Sequence, residues 1–147
     1  MDFRELASAF AERHGIEGVS VEDDAFSLDI DGIPVSAIAN GDKVSIVAEI
    51  GLPPLEGQGA FADLMLEANM NSDAVFMKDA ESDKYLLSHR LVLTGLDSDG
   101  FDVALEELVN QAETWRKMLA EFRPAAEAAL DAEEETPIFG ETGFMQV

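Results

Sequence analysis

From Gln58 to Asn71 the chain reads as a short helix that is apolar on two opposite sides. Phe61, Leu64, Met65 and Ala68 form one stripe at helical spacing, and Ala62, Leu66 and Met70 form the other. One stripe can face the chain's own core. The other needs a cover, and for a small acidic protein the most economical cover is a second copy of itself. The pattern therefore predicts a homodimer built around this helix.

Elsewhere the period changes in an informative order. Phe3, Leu6, Ala7, Phe10 and Ala11 recur at i, i+3, i+4, i+7 and i+8, which predicts an amphipathic helix over Asp2 to His14, ended by Gly15. The period then drops to two. Ala25 to Ile30 alternates, Asp31-Gly32 signals a turn, an apolar-rich strand runs from Ile33 to Ala39, and Val44 to Ile50 alternates again until Pro53-Pro54. Three strands on short turns make an antiparallel meander. After the apolar helix come strands over Ala74 to Lys78 and Tyr85 to Leu96, with a polar turn at Asp79 to Asp83. Asp97-Ser98-Asp99-Gly100 reads as a loop and cap. From Phe101 a long helix carries Leu105, Leu108, Ala112, Trp115, Leu119 and Phe122 at alternating spacings of four and three. That repeat lasts only about three heptads and includes two large aromatics, so packing on the sheet accounts for it better than a coiled coil. The order α-β-β-β-α-β-β-α predicts an α+β fold, an antiparallel five-stranded sheet with helices packed on it.

The domain is expected over residues 1–123, and 147 residues suffice for one core without disulfides. Residues 124–147 are expected to form an acidic extension, helical over Ala125 to Ala132 and solvated through Glu133-Glu134-Glu135, with apolar pieces at Ile138-Phe139 and Phe144 to Val147.

Charge narrows the partners. With 31 acidic against 9 basic residues, the formal charge is −22. Such a field repels nucleic acid and anionic membrane surfaces, and the basic residues stand singly except for Arg116-Lys117. The acidity keeps apolar patches on separate molecules apart, and it also suits a more basic polypeptide partner. The amino terminus lacks a signal-peptide pattern and no segment approaches ~20 apolar residues, so the expected location is the cytoplasm.

The chain holds little catalytic equipment. It has no cysteine, and its two histidines, His14 and His89, share no metal-ligand spacing. Gly57-Gln58-Gly59 lacks the rest of a phosphate-binding loop or dinucleotide fingerprint. Asp97, Asp99, Gly100 and Glu106 match part of a calcium loop. Its first ligand position falls on Gly95 and a strand precedes it, so a helix cap is the simpler reading. In Asp29-Ile30-Asp31-Gly32 the bidentate position falls on Ile38. No catalytic residue, metal site or cofactor is expected, because no carboxylate pair stands apart as acid and base and no serine has a base nearby.

The element order, the strand Phe26-Ser27-Leu28-Asp29-Ile30-Asp31-Gly32, the helix segment Leu64-Met65-Leu66-Glu67-Ala68-Asn69 and Trp115 in the closing helix together resemble the CesT-like (Tir chaperone) group of type III secretion chaperones, over about Phe3 to Phe122. The acidic tail is not part of that pattern. The resemblance implies a cytoplasmic bacterial homodimer that holds the amino-terminal segment of a secreted effector in extended form, soluble and secretion-competent, without ATP. It assigns Leu66 and Met70, with Phe61, Leu64 and Met65, to the dimer interface. It also makes Phe3, Leu6, Phe10, Phe26, Leu28, Ile30, Val35 and Ile38 candidates for effector binding, about half of them reserved for the core because each strand has one inward face. Two other readings stand beside it: a homodimeric interaction or regulatory module of the same fold, and a small hydrolase or metal-dependent enzyme.

Overall fold

Asp2 accepts a hydrogen bond from the Glu5 amide at 2.8 Å, and Glu5 accepts one from the Asp2 amide at 2.9 Å. This reciprocal cap starts helix α1, Phe3–Arg13, whose inward residues are the predicted Phe3, Leu6, Ala7 and Phe10. In the computed structural model the described residues are 2–16, 20–22 and 24–123. The acidic extension expected over 124–147, with its helical start and apolar pieces, lies outside them.

After α1 come β1 (Ser20–Val21), β2 (Ala25–Ile30), β3 (Ile33–Asn40), β4 (Lys43–Gly51), α2 (Gln58–Asn69), β5 (Val75–Lys78), β6 (Tyr85–Val92) and α3 (Ser98–Glu121). The five expected strands are β2 to β6, in the expected order with the helices. The two-residue β1 joins the edge, giving the sheet order β1-β2-β3-β4-β6-β5 with every pair antiparallel. Asp31 and Gly32 both have positive φ, 53° and 84°, and close a two-residue turn that pairs Ile30 with Ile33. That turn fixes the register that puts Leu28 opposite Val35, both inward.

Two element limits differ from the sequence pattern by three residues or more. The last strand stops at Val92 instead of Leu96, because its neighbour β4 begins only at Lys43. Beyond that point the Leu93 amide donates to the Asp42 carbonyl at 2.7 Å, and the Thr94 amide and hydroxyl donate to the Asp42 carboxylate at 3.0 and 2.8 Å. The long helix begins before Phe101, at Ser98. Asp97 is its cap and accepts from the Gly100 amide at 2.8 Å, so the calcium-like segment is the helix cap the sequence favoured.

All three helices cover one face of the sheet. At one end of the core, Phe26 meets Phe3 at 5.9 Å and Phe101 at 6.1 Å between ring centroids, and Phe10 meets Phe101 edge-on. At the other end, Phe61 stacks on Tyr85 at 5.9 Å and meets Trp115 and Phe122 edge-on, while Phe76 meets Trp115 at 4.6 Å. Helix α3 joins the two ends. Among the described residues no helix lies on the opposite face of the sheet, which carries the alternate residues, among them Ser27, Ser36, Ile38, Ser45, Val47 and Ser88.

Candidate interaction surfaces

Helix α2 splits the predicted interface set in two. Phe61 and Met65 are buried in the chain's own core, whereas Leu64, Leu66 and Met70 are exposed, Leu66 at 62% and Met70 at 86%. The division follows from helix geometry: Phe61 and Met65 are four apart on the side facing Tyr85 and Trp115, and Leu66 and Met70 repeat that spacing on another side. Phe61 and Met65 therefore back the helix from beneath. On β5, Val75 and Met77 are each half exposed on the bare face of the sheet, and Met77 reaches the edge beside Leu66. Between α2 and β5 lies a hollow of about 430 Å³, lined among others by Ala62, Met65, Leu66, Phe76 and Met77.

Asn69, the last residue of α2, explains how this surface is assembled. Its side-chain oxygen accepts the Phe76 amide at 2.7 Å and so ties the start of β5 to the end of the helix. Val75, Met77 and the fully exposed Leu55 before α2 were not singled out in sequence. A four-residue strand offers too short an alternation to mark its faces, and Leu55 sits in a segment with no period at all.

The eight effector-binding candidates mostly turn inward. Phe3, Leu6, Phe10, Phe26, Leu28 and Val35 are buried, Ile30 is half-buried, and only Ile38 is well exposed. The expectation that about half would be core is thus corrected to three quarters. The reason lies in the register. Phe26, Leu28 and Val35 share the helix-covered face, while Ile38, opposite Ala25 and Ser45, stands on the bare one. Phe10 and Ile30 do meet in one place. They line a hollow of about 420 Å³ between the end of α1, the β2–β3 turn and α3, together with Ile16, Leu105, Asp29, Asp31 and Glu106.

Beside that hollow an ionic clasp joins α1 to α3. Arg13 Nη1 lies 2.5 Å from Asp102 and 3.0 Å from Asp99, and His14 Nε2 lies 3.4 Å from Asp102, whose side chain is nearly buried. Hydrogen bonds to Asp102 first and Asp99 second hold the Arg13 guanidinium above its ordinary pKa, so it stays charged. His14 thus has a structural partner, and His89 lies apart from it on β6. Among the described residues no group of three His, Cys, Asp or Glu is placed to hold a metal ion, and no helix is long and apolar enough to cross a membrane. What the geometry offers is apolar surface and two shallow hollows, one with Asp29, Asp31 and Glu106 in its lining and one with Lys78, suited to holding polypeptide.

Comparison with known proteins places these features in a wider setting. Residues 5–116 match the model of the Tir chaperone protein (CesT) family. No curated protein matches the chain in sequence. Among solved structures the chain is similar to one from the ExsC–ExsE complex, with a TM-score of 0.69 and 22% identity over 81% of this chain and 97% of that one. It is similar to one from the complex of the Yersinia pestis type III secretion chaperone SycH with a stable fragment of YscM2, with a TM-score of 0.61 and 22% identity over 78% of this chain and 99% of that one. A third likeness is to the HopA1–SchA chaperone–effector complex, with a TM-score of 0.63 and 14% identity over 78% of this chain and 93% of that one. At these identities the likeness is one of fold.

Proposed function

We propose that this chain, which belongs to the Tir chaperone protein (CesT) family, is a type III secretion chaperone that binds the amino-terminal segment of an effector in extended form. The observation that carries the reading is the family match over nearly the whole described domain. Its support from physics is that the described residues leave apolar surface open at α2 and β5. Similar folds occur in structures whose names describe a secretion chaperone with a bound fragment and a chaperone–effector complex.

In this reading two copies pack through Leu64, Leu66 and Met70, with Phe61 and Met65 beneath them, and the dimer works in the bacterial cytoplasm. Folding unit and function both reside in residues 1–123. The protein catalyses no reaction. It lowers the free energy of an unfolded client's exposed apolar side chains by covering them, and extended backbone gains hydrogen bonds at a sheet edge without any one required sequence. No ATP is needed, because the work is equilibrium binding.

The test is co-expression with a candidate effector. The expected product is a soluble complex in which about 50 to 100 effector residues resist protease without a compact fold of their own. Full protease sensitivity of that segment, or failure to hold any effector, counts against the reading.

A further inference from the structure

We infer that residues 138–147, which carry Ile138-Phe139 and Phe144-Met145, dock on the bare face of this chain's own sheet, over β4, β6 and β5. The contact is within one chain and needs no client, so it goes beyond the proposed function and stands or falls apart from it. On that face Ile38, Val75, Met77 and Val92 are each about half exposed. The register sets small side chains between larger ones, Ser45 between Ile38 and Arg90, and Ser88 between Val47 and Val75. The face is therefore furrowed. A hollow of about 500 Å³ opens on it, lined by Asp73, Val75, Met77, Ser88, His89 and Arg90.

Charge selects the occupant. Lys43 and Arg90 are exposed and form no ion pair among the described residues, whereas Lys78 is engaged by Asp83 and Lys84 by Glu49. Of the acids around this part of the face, Glu49 is held by Lys84 and Asp42 accepts from Thr94, leaving Asp73. Residues 124–147 contain Glu127, Asp131, Glu133, Glu134, Glu135 and Glu141 and no Lys or Arg, so they bring the sign that the two free cations lack. The α1–α3 hollow, with Asp29, Asp31 and Glu106, repels the same segment. A second copy would bring its whole charge of −22 to the face, while the chain's own end brings few charges and is tethered at high local concentration.

The tether is long enough. Phe122 packs on Phe61, Phe61 on Tyr85, and Leu119 against Gly51, so α3 ends over the Gly51–Tyr85 end of β4 and β6. Arg90 is roughly 17 Å along β6 from Tyr85, and passing the sheet adds about 10 Å. Residues 124–137 span roughly 30 Å even with 125–132 wound as the helix the sequence predicts. Docking takes the apolar pieces of the segment and the bare face out of water together, and so keeps that face from adhering to other molecules.

The chain has no cysteine, so Thr142→Cys gives the full chain one site for a nitroxide label. Amide NMR of the labelled protein is expected to show the strongest broadening at Ser45, Val47, Ser88 and Arg90 and none on α1. Broadening centred on α1 or α2, or no broadening in the domain, overturns the inference. The contact is expected to be lost when Phe139→Asp and Phe144→Asp are combined, two changes beyond the family-matched residues, and again in Arg90→Glu, whose fold is checked by thermal melts. Contact kept in the double variant, or in a folded Arg90→Glu protein, overturns it as well. Mixing nitroxide-labelled chain with isotope-labelled chain that has no nitroxide tests the tether. Unbroadened signals in the isotope-labelled copy support docking within one chain, and broadening of its bare face overturns it.

Discussion

Helices α1 and α2 lie on the same face of one sheet, yet only α1 is closed by its own fold. On α1, Phe3, Leu6 and Phe10 all point into the core, the first turn is capped by Asp2 and Glu5, and Arg13 clasps α3. On α2, Phe61 and Met65 are buried, Leu64, Leu66 and Met70 are in water, and no side chain caps the amino end at Gly57. Each helix has enough apolar surface to be held down. The excess on α2 is not used by the described core, and it is here that we propose the second copy packs.

The largest effect expected from breaking this contrast is at the closed end. Phe101→Ala removes the ring against which both Phe10 and Phe26 pack and should cost about 3–5 kcal/mol in urea unfolding. Self-association at the α2 end should persist in whatever fraction stays folded. Loss of association with unchanged stability would reverse the roles assigned to the two ends.

Next comes Leu66→Asp at the open end. An unpaired carboxylate in an apolar interface costs several kcal/mol, roughly, so the dimer should weaken by at least about a hundredfold and give monomer or aggregate on sedimentation. A well-folded dimer after this change would remove α2 from the interface.

A smaller effect sharpens the comparison. Asn69→Ala leaves the Phe76 amide without its acceptor and should cost about 1–2 kcal/mol. Because that bond sets β5 against α2, hydrogen exchange should rise in β5 and not in α1. Uniform exchange across both ends would mean that Asn69 serves only global stability.

The smallest effect lies in the β5–β6 turn. The Ser82 hydroxyl first, and the Glu81 amide second, hold the Asp79 carboxyl below its ordinary 3.8. A depressed folded value means the turn's contribution is present above pH 3.8 and is lost as pH falls through the folded pKa. Titration of Asp79 by NMR should show a midpoint below 3.8, and Ser82→Ala should raise it. An unmoved midpoint would exclude the hydroxyl as the cause.

The sequence pattern was legible wherever one period ran long enough. Helix α1 and strand β2 fall where periods of 3.6 and two placed them, and the doubly apolar α2 was visible as such. Period alone cannot say which face is inward. Phe26, Leu28 and Val35 accordingly looked like contacts for a client and proved to be core, and the two stripes of α2 were visible without a sign that Phe61 and Met65, but not Leu64 beside them, face inward. Strand β1, at two residues, has no period to read. The end of β6 depends on Asp42, some fifty positions away in the chain, and the Asn69–Phe76 bond depends on how α2 meets β5. These are tertiary facts with no local signal.

Trp115 is the chain's single tryptophan, and it lies against Phe61 and Phe76 beneath α2 and β5. The closed end, built from phenylalanines, contributes almost nothing to emission excited at the red edge of protein absorption. The molecule thus carries its own optical probe at the end where association is proposed, and the wavelength and quenching of one indole can follow that event in unlabelled protein.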